Sequence, residues 1–461
     1  MDKRLIDKAF ELKRKYFDEG NTQSYEFRIK SLEKLETAIK NNEKAILLAI
    51  HKDLRKSRFE GFISELGVIY SEISYVKKNL KSWMKPKRVK TPLSLQPSSS
   101  YIYPEPLGIC LIIGPWNYPF QLIMSPLIGA IASGNCVILK PSNEAKYTSD
   151  LICKIIGDNF DENYISVIEG PGRSIGPMII ESYRFDHIFF TGSIAVGKKI
   201  AEMASKHLTP ITLELGGKSP AIVYKDVNVD LTAKRIVWAK YFNNGQTCVA
   251  PDYLLVHEGI KDELIDKMKY YIKEFYGDDP SLSKDYGRII NEKRFDILRN
   301  YLLEGEIIVG GETNKEDRYI SPTIIDDIDL DSVLMKEEIF GPILPIITFK
   351  KIEDTLSIIR KNRYPLALYL FTEDREVEKY IINRIEFGGG CINNGLVHLT
   401  NSLLPFGGVG YSGMGNYHGK YSFDRFSHKK SIVKTRNFIE HSLKYPPYSE
   451  EKIRIARRLF K

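Results

Sequence analysis

The chain has 461 residues, a length that predicts two or three domains, each able to bury its own core. Apolar residues make up 43% of it and charged residues 27%, as in an ordinary soluble globular protein. Its 67 Lys and Arg exceed its 59 Asp and Glu, but the basic residues are scattered, so we expect no nucleic-acid partner.

Its five cysteines, Cys110, Cys136, Cys153, Cys248 and Cys391, are widely spaced, and no two form a Cys-x-x-Cys pair. An odd, scattered set predicts neither a disulfide framework nor a zinc site, so we expect no metal. The same pattern favours a reducing cytoplasm, and the polar N-terminus shows no apolar signal core.

The first strong pattern covers residues 25–51, where apolar residues recur at helical spacing and predict an amphipathic helix. Residues 81–106 differ in character, with five prolines, three consecutive serines and a basic cluster. They predict a linker or an arm that leaves the domain body, with an edge strand at Tyr101-Ile102-Tyr103.

Residues 107–139 contain no charged side chain and would pass for a membrane span by hydropathy. Seven glycines and prolines interrupt them, which favours a buried strand, loop, helix and strand instead. We therefore expect no transmembrane span.

A regular alternation begins in this stretch. Short apolar runs at 109–113, 136–139, 165–168 and 187–190 are separated by helix-like segments. They predict parallel βαβ units and a Rossmann-like, doubly wound cofactor domain in an α/β protein. A second series of strands and helices, at about residues 221–371, predicts a further α/β domain.

Two glycine-rich segments, 388–390 and 406–415, are predicted to be loops near a site. The last segment, 451–461, predicts a short helix with Ile453, Ala456 and Phe460 on one face and basic residues largely opposite. Such a helix can contact an anionic membrane surface, but we expect it to dock on the protein or fray.

Cys248 follows Asn244-Gly245-Gln246-Thr247, and Glu214 begins Glu214-Leu215-Gly216-Gly217-Lys218. A thiol beside glycine backbone can be a covalent nucleophile, because side chains do not block the approaching carbon. A carboxylate in the same pocket can activate the water that hydrolyses the intermediate. Together they predict chemistry on a carbonyl. Glu214 alone would be a surface carboxylate paired with Lys218.

Asn117 lies in Gly114-Pro115-Trp116-Asn117-Tyr118-Pro119, directly after the first apolar run of the predicted sheet. Loops that follow strand C-termini line the ligand crevice of a parallel sheet, and two prolines stiffen this one. A fixed side-chain amide is a suitable donor to an oxyanion. The alternative is a turn asparagine that bonds its own backbone.

Two further features suit a dinucleotide. Lys140 ends the next strand, where a lysine can bind ribose hydroxyls or phosphate, although most such lysines are simply solvated. Ser193 follows Phe189-Phe190-Thr191-Gly192 and can cap a helix whose N–H groups attract a pyrophosphate. An ordinary serine cap explains the same residues.

Seven motifs occur in one order, and together they resemble the aldehyde dehydrogenase superfamily over nearly the whole chain. They are Pro115-Trp116-Asn117-Tyr118-Pro119, Lys140-Pro141-Ser142, Phe190-Thr191-Gly192-Ser193, Glu214-Leu215-Gly216-Gly217-Lys218, Gly245-Gln246-Thr247-Cys248, Glu337-Glu338-Ile339-Phe340-Gly341-Pro342 and Pro405-Phe406-Gly407-Gly408. The chain looks closest to the class 3, fatty-aldehyde branch, on Ser412-Gly413-Met414-Gly415, Tyr417-His418-Gly419-Lys420 and Lys444-Tyr445-Pro446-Pro447-Tyr448. Membrane-anchored members of that branch carry an apolar C-terminal span, which this chain lacks.

The resemblance implies that Cys248 is the nucleophile and Glu214 the general base, and that Asn117 and the backbone N–H of Cys248 form the oxyanion hole. It implies NAD(P)-dependent oxidation of medium- or long-chain aliphatic, or aromatic, aldehydes to carboxylic acids through a thiohemiacetal and a thioester.

Two alternatives are a relative that transfers the acyl group to coenzyme A and a non-catalytic dinucleotide-binding protein. Glu214 argues against the first, because transfer to a thiol needs no water-activating base. His398 borders the aldehyde entrance or is a plain loop histidine.

NAD or NADP is the cofactor that the resemblance implies. Lys140 would hold the adenosine ribose, Ser193 the pyrophosphate and Glu338 the nicotinamide ribose, with Phe340 packed nearby. The full implied set is Lys140, Ser142, Asn143, Gly192, Ser193, Glu338 and Phe340. Glu338 alone would be a surface carboxylate paired with Lys336.

Asn143 departs from the pattern. Many NAD-using relatives have a glutamate three residues after the lysine, where its charge would repel a 2′-phosphate. Asn143 therefore predicts that NADP is tolerated, although a one-residue shift would let Glu144 restore the carboxylate.

The resemblance also implies a domain plan and a homodimer, in which the arm pairs with strands near residues 429–436. The plan is a cofactor domain at 1–84 and 105–213, a catalytic domain at 214–410, an oligomerisation arm at 85–104 and 411–440, and a tail at 441–461.

Overall fold

The computed structural model describes residues 3–440 and 442–460. The first two residues of the predicted cofactor domain, His441 at the start of the predicted tail, and Lys461, which the predicted C-terminal helix includes, lie outside the described residues.

The chain alternates helices and strands. The strands are β1 (Lys87–Val89), β2 (Ser98–Pro106), β3 (Ile109–Ile113), β4 (Cys136–Lys140), β5 (Ile165–Val167), β6 (His187–Thr191), β7 (Ile211–Glu214), β8 (Pro220–Val223), β9 (Tyr253–His257), β10 (Glu306–Val309), β11 (Thr313–Asn314), β12 (Tyr319–Ile320), β13 (Thr323–Asp326), β14 (Ile343–Phe349), β15 (Ala367–Phe371), β16 (Gly389–Ile392), β17 (Gly413–Met414) and β18 (Ser427–Thr435). The α-helices are α1 (Lys3–Asp18), α2 (Tyr25–Asn41), α3 (Glu43–Leu54), α4 (Arg58–Gly61), α5 (Gly67–Trp83), α6 (Gln121–Ser133), α7 (Lys146–Asn159), α8 (Gly172–Ser182), α9 (Ile194–Ser205), α10 (Val229–Tyr241), α11 (Lys261–Tyr276), α12 (Glu292–Tyr301), α13 (Val333–Lys336), α14 (Ile352–Lys361), α15 (Arg375–Ile382), α16 (Gly419–Arg425) and α17 (Glu450–Leu459). A π-helical turn, Phe62–Leu66, joins α4 to α5.

The first sheet has the order β17-β7-β6-β3-β4-β5 and is parallel except for β17. Strands β4 and β6 are buried at every residue, as continuous apolar runs require when both faces are covered. The order reverses between β3 and β6, and a ligand crevice lies at such a switch point, beside the carboxyl ends of the strands. The predicted doubly wound sheet is confirmed.

The uncharged stretch forms β3, a loop, the wholly buried helix α6 and β4. It is an interior segment, as predicted. None of the helices in the described part of the chain combines the length and apolar character needed to cross a bilayer.

The second sheet has the order β10-β13-β14-β9-β8-β15-β16, with only β10 antiparallel. Here the loop predicted at 388–390 is wrong, because Gly389 and Gly390 lie in β16. A Cβ on Gly390 would stand 2.0 Å from the carbonyl oxygen of Leu368 on β15, so close backbone packing requires the glycine.

The predicted arm holds β1 and β2, which join β18 in an antiparallel sheet of order β1-β2-β18. Tyr101, Ile102 and Tyr103 therefore lie in the central strand. The edge-strand prediction is wrong because β18, from the far end of the chain, covers the free side of β2. Residues 411–440 divide in the structure: β17 joins the first sheet, Phe423 of α16 packs in its core, and β18 joins the arm.

Residues 25–51 form two helices, α2 and α3, rather than the single predicted one, and α1 precedes them. Asn42 separates them, with its side-chain amide donating to the carbonyl oxygen of Ala38 at 2.8 Å. A side chain that bonds nearby backbone competes with the helix, which explains the break within a continuous apolar pattern.

The C-terminal segment forms α17 as predicted, with Ser449 as its N-cap. Ile453 is 41% and Phe460 80% exposed, and both lie on the predicted apolar face. Lys452 bonds the carbonyl oxygens of Ser442, Tyr445 and Pro447, so the helix is tied to its own tail.

Candidate active site

The carboxyl ends of the first sheet bring together four of the predicted residues. Asn117 follows β3, Lys140 ends β4, Ser193 follows β6 and Glu214 ends β7. Because parallel strands share one carboxyl edge, these side chains meet at the crevice marked by the strand order.

Cys248 lies after α10 on a loop with unusual backbone. Asn243, Asn244 and Gly245 have φ values of 52°, 54° and 68°, three consecutive residues in the left-handed region. Asparagine tolerates that region better than other side chains, and glycine freely. A Cβ on Gly245 would stand 2.2 Å from the carbonyl oxygen of Gly341. The turn leaves Cys248 half-buried in a cavity wall.

Gln246 fixes this loop from inside. Its side-chain amide donates to the carbonyl oxygen of Arg288 at 3.0 Å, and its side-chain oxygen accepts the N–H of Ile290 at 3.0 Å. Its own carbonyl oxygen accepts the side-chain amides of Asn117 and Asn243, each at 3.0 Å. The loop around Cys248 is therefore held by hydrogen bonds on all sides.

Asn117 meets the cysteine loop directly. Its amide bonds Gln246, 129 residues away, and the Tyr118 hydroxyl lies 2.6 Å from the Thr247 Oγ1. The amide bond thus goes to the loop of Cys248 and not to the residue's own turn. Among the described residues this amide has a single acceptor for its two N–H groups, so the second is available to an incoming oxygen.

Glu214 is 3% exposed, and neither of its carboxyl oxygens has a hydrogen-bond partner among the described residues. Burial raises its pKa well above the ordinary range, which the charge of Arg425 only partly opposes. Lys218, the surface partner considered above, bonds Asp252 at 2.5 Å instead. Glu214 is therefore a free, desolvated acid.

Burial also raises the pKa of the Cys248 thiol, and the charges of Glu338 and Glu214 raise it further. The backbone N–H groups of Cys248 and Val249 oppose that rise. Both carboxylates are therefore near enough to the sulfur to affect its pKa. The resting thiol is consequently protonated at neutral pH.

Glu338 is half-buried and accepts the backbone N–H of Gly217. A Cβ on Gly216 would stand 2.2 Å from its Oε2, so glycine is required for this contact. Burial, reinforced by the charge of Asp252, raises the Glu338 pKa to about 8. The pKa of this carboxyl group is thus close to neutral pH.

The loop of Glu338 rests on a buried ion pair. Asp252 accepts the N–H of Ile339 at 3.0 Å, and Lys218 donates to the carbonyl oxygen of Glu337 at 2.9 Å. The next residue, Phe340, has φ of 47° and packs edge-to-face on Trp116 with centroids 5.3 Å apart. Trp116 neighbours Asn117, so the two loops touch.

The remaining predicted cofactor residues line the other end of the crevice. The buried Lys140 ammonium has a single protein acceptor among the described residues, the carbonyl oxygen of Pro141 at 3.0 Å. Ser193 caps α9 by accepting the N–H of Val196, and a Cβ on Gly192 would stand 2.5 Å from the Phe190 ring. A buried ammonium with N–H groups left over for a ligand, and a helix N-terminus at the same sheet edge, fit a dinucleotide.

The segment after Lys140 contains Asn143, which is uncharged, and Glu144, which carries a carboxylate. Asn143 and Glu144 are both exposed, and the Ser142 hydroxyl accepts the N–H of Glu144 at 3.3 Å. The Glu144 carboxylate accepts the Asn291 amide at 2.8 Å. It is therefore drawn toward another segment of the chain.

An apolar cavity of about 200 Å³ ends at Cys248. Its wall combines aliphatic and aromatic side chains from the N-terminal helices, α10 and the C-terminal loops. They include Ile63, Val68, Leu122, Trp238, Phe242, Val249, Leu396, Val397, Leu399 and Phe406. His398 does not line it, and its Nδ1 lies 3.6 Å from the Cys391 sulfur. His398 therefore packs behind the wall.

Sequence reasoning missed Lys56, Glu65, Asn243 and Gln246 around Asn117. Lys56 and Glu65 form an ion pair with side chains 1% and 0% exposed. Nothing in the polar run Asp53-Leu54-Arg55-Lys56-Ser57 distinguishes the buried lysine from its neighbours. Asn243 could have been found, because consecutive asparagines before glycine signal left-handed backbone.

The chain was compared with known proteins and structures. A model of the aldehyde dehydrogenase family matches residues 1–432. The chain is 46% identical to 4,4'-diaponeurosporen-aldehyde dehydrogenase from Staphylococcus aureus, over 99% of both chains. It is 43% identical to the "dimeric NADP-preferring" aldehyde dehydrogenase of Rattus norvegicus, over 94% of this chain and 96% of that one. Other relatives are named as members of aldehyde dehydrogenase family 3. The substrate-bound structure of Staphylococcus aureus AldH superposes with a TM-score of 0.97 at 46% identity, over 99% of both chains.

Proposed function

The chain belongs to the aldehyde dehydrogenase family, and on that basis we propose that it oxidises apolar aldehydes to carboxylic acids through Cys248. It is an oxidoreductase that uses NAD or NADP, and its relatives include family 3 members. The class 3 resemblance is thereby confirmed, and a non-catalytic protein is excluded. The observation that carries the proposal is the apolar cavity that ends at the thiol.

In the proposed reaction the Cys248 thiol loses its proton to solvent, and the resulting thiolate attacks the aldehyde carbon. A C–S bond forms, and the carbonyl π electrons move to oxygen. The free N–H of Asn117 and the backbone N–H of Cys248 then stabilise that oxyanion. One such donor is typically worth about 3–4 kcal/mol in the transition state.

NAD or NADP, when bound, supplies the nicotinamide ring that takes up the substrate hydride. Lys140 would hold its adenosine ribose, the N-terminus of α9 at Ser193 its pyrophosphate, and Glu338 its nicotinamide ribose. Ser142, Gly192 and Phe340 would line the same groove.

Cys248 then carries the acyl group as a thioester. Ionised Glu214 removes a proton from water, whose oxygen bonds the acyl carbon as the C–S bond breaks. The carboxylic acid leaves, and the proton returns to solvent. The unpartnered Glu214 carboxyl near the thiol supports water over coenzyme A as the acceptor.

The cavity supports a medium-length aliphatic or an aromatic substrate. Its volume of about 200 Å³ has room for roughly seven water-sized groups of about 30 Å³ each. A longer chain would extend through the mouth into solvent. Charged aldehydes are disfavoured, because among the described residues no Asp, Glu, Lys or Arg lines the cavity.

NADP as well as NAD is proposed as cofactor. Asn143 carries no charge to repel a 2′-phosphate, and the Glu144 carboxylate is engaged by Asn291. The rat relative named NADP-preferring agrees with this direction.

We further propose the predicted domain plan except at residues 411–426, which join the first sheet and its core, together with a homodimer and a cytoplasmic location. The edge strand β18 supports the dimer, because its residues 428–435 are exposed and, in the part of the chain that the structure describes, only β2 pairs with it. Five free cysteines favour a reducing compartment.

The test is a panel of straight-chain and aromatic aldehydes, assayed with both cofactors, with and without coenzyme A. Octanal should yield octanoate and not octanoyl-coenzyme A. Cys248→Ala should abolish oxidation while leaving the Tm and cofactor binding unchanged. Undiminished oxidation by that variant would contradict the mechanism, and coenzyme A-dependent turnover would contradict the acceptor.

A further inference from the structure

Lys56 and Glu65 form an ion pair that solvent does not reach. The Lys56 Nζ lies 2.8 Å from the Glu65 Oε1, with the side chains 1% and 0% exposed. The other carboxylate oxygen of Glu65 accepts the backbone N–H groups of Phe120 and Gln121, at 2.9 and 3.2 Å. These are the first N–H groups of α6, where a negative charge is favourable.

The lysine contacts the loop that carries the oxyanion donor. Its Nζ donates to the carbonyl oxygen of Asn117 at 2.9 Å and lies 3.9 Å from the centre of the Tyr118 ring. The Asn243 amide donates to the same carbonyl oxygen at 3.0 Å. Both lone pairs of that oxygen are therefore engaged, and the peptide between Asn117 and Tyr118 cannot rotate without breaking a charged hydrogen bond.

The contacts close a ring around the Asn117 side chain. Asn243 donates both to the Asn117 carbonyl and to the Gln246 carbonyl, and the Asn117 amide donates to the same Gln246 oxygen. Lys56 fixes one side of this ring and Gln246 the other. The direction of the free N–H on Asn117 is thus set by Lys56, between α3 and α4, and by Glu65, in the π-helical turn.

A buried pair is a poor device for stability alone. Removing each ion from water costs several kcal/mol, and apolar residues of similar volume often hold a fold equally well. Such pairs are better suited to fixing a register. Here the pair joins the π-helical turn Phe62–Leu66 to the oxyanion loop, and π-turns are frequent at functional sites.

We propose that Lys56 and Glu65 are positioning residues for the reaction: they lock the backbone at Asn117 and so aim its free amide N–H at the substrate oxygen. This inference rests on the proposed function of Asn117 and extends it to residues that touch no substrate.

The test variant is Lys56→Met/Glu65→Gln. It removes both charges of the pair together, and Gln keeps an acceptor for the N–H groups of Phe120 and Gln121. Two reactions of Cys248 are followed without cofactor: acylation by p-nitrophenyl acetate, which forms an oxyanion, and alkylation by iodoacetamide, which does not. Acylation should slow about 10- to 100-fold, as a displaced catalytic group implies. Alkylation should change less than about twofold.

A double-mutant cycle with Asn117→Ala shows whether the pair acts through the amide. In the Asn117→Ala background the neutral pair should slow acylation by less than about a further twofold. The matched control is Lys218→Met/Asp252→Asn, the similarly buried ion pair that supports the loop of Glu338. When this control is combined with Asn117→Ala, the factors by which each slows acylation should multiply.

The proposal would be overturned if the Lys56/Glu65 variant slowed acylation by the same factor with and without Asn117→Ala. Equal losses in the rates of alkylation and acylation would overturn it as well. If the double variant does not fold, Lys56→Met alone replaces it, because it removes the bond to the Asn117 carbonyl while Glu65 keeps the N–H groups of Phe120 and Gln121, and the same cycle decides. An acylation rate that Asn117→Ala leaves unchanged would overturn it too. Retained aldehyde oxidation by Cys248→Ala would defeat the proposed function instead, whatever the cycle shows.

Discussion

Replacing Glu214 with glutamine should separate the two halves of the proposed reaction. Glutamine keeps the shape of the side chain but cannot take a proton from water. Neither carboxyl oxygen has a hydrogen-bond partner among the described residues, so no contact of the folded protein is broken. We expect the variant to lose about 1 kcal/mol of stability or less.

The size of the kinetic effect follows from the role. General-base catalysis typically contributes about 10²- to 10⁴-fold, or about 3–5 kcal/mol, so steady-state turnover should fall by that factor. Attack by Cys248 does not need Glu214. One equivalent of reduced cofactor per subunit should therefore form at the wild-type rate before slow turnover begins.

Stopped-flow absorbance of the reduced cofactor measures both phases, and mass spectrometry after acid quenching should find the acyl group on Cys248. Hydroxylamine, a nucleophile that needs no base, should restore turnover. Equal losses in the fast and slow phases would refute this assignment, because Glu214 would then act before the thioester forms. An unchanged steady state would refute it as well.

Four further outcomes are expected. Asn143→Glu should lower the NADP-to-NAD ratio of kcat/KM, and an unchanged ratio would remove Asn143 from cofactor choice. Trp238→Ala should lower kcat/KM for octanal about tenfold but affect propanal less, because about 150–250 Å² of aromatic surface is lost from the wall; equal losses for both would contradict the cavity assignment. Glu338→Gln should shift the pH profile of Cys248 alkylation to lower pH, because the largest negative charge acting on the thiol is removed; an unshifted profile would show that the charges are not coupled. Burial lowers the His187 pKa to about 3. Below about pH 6.5 the unfolded chain therefore binds a proton at this histidine that the folded chain does not bind. The free energy of unfolding falls by about 1.4 kcal/mol for each pH unit below that point. The Tm of His187→Gln should therefore fall less than that of wild type between pH 6.5 and 4, and parallel curves would contradict the shift.

Strands β3 to β6 of the first sheet were predictable because burial on both faces leaves a continuous apolar run in the sequence. The ends of these runs then gave Asn117, Lys140 and Ser193 a common edge. This inference needs only local patterns and the geometry of parallel sheets. It predicts the position of the ligand crevice without knowledge of any side-chain contact.

What failed depends on pairing over long distances. Tyr101-Ile102-Tyr103 looks like an edge strand until β18 arrives from the far end of the chain. Gly390 is typical of a loop in the sequence, but in the structure the carbonyl oxygen of Leu368 lies too close to leave room for a Cβ. Lys56 looks solvated because its partners, Glu65 and Asn117, share no sequence pattern with it. Local hydropathy carries no record of such contacts.

Charge explains how one pocket can hold both the proposed nucleophile and the proposed base. The thiol of Cys248 and the carboxyl groups of Glu214 and Glu338 lie in a desolvated space where each charge opposes the others. They cannot all ionise together, so at rest the sulfur stays protonated and resists oxidation, which requires thiolate. A cationic ring brought into this space favours every ionised form at once. The raised pKa that lowers the reactivity of the resting thiol therefore lets a bound cofactor increase that reactivity.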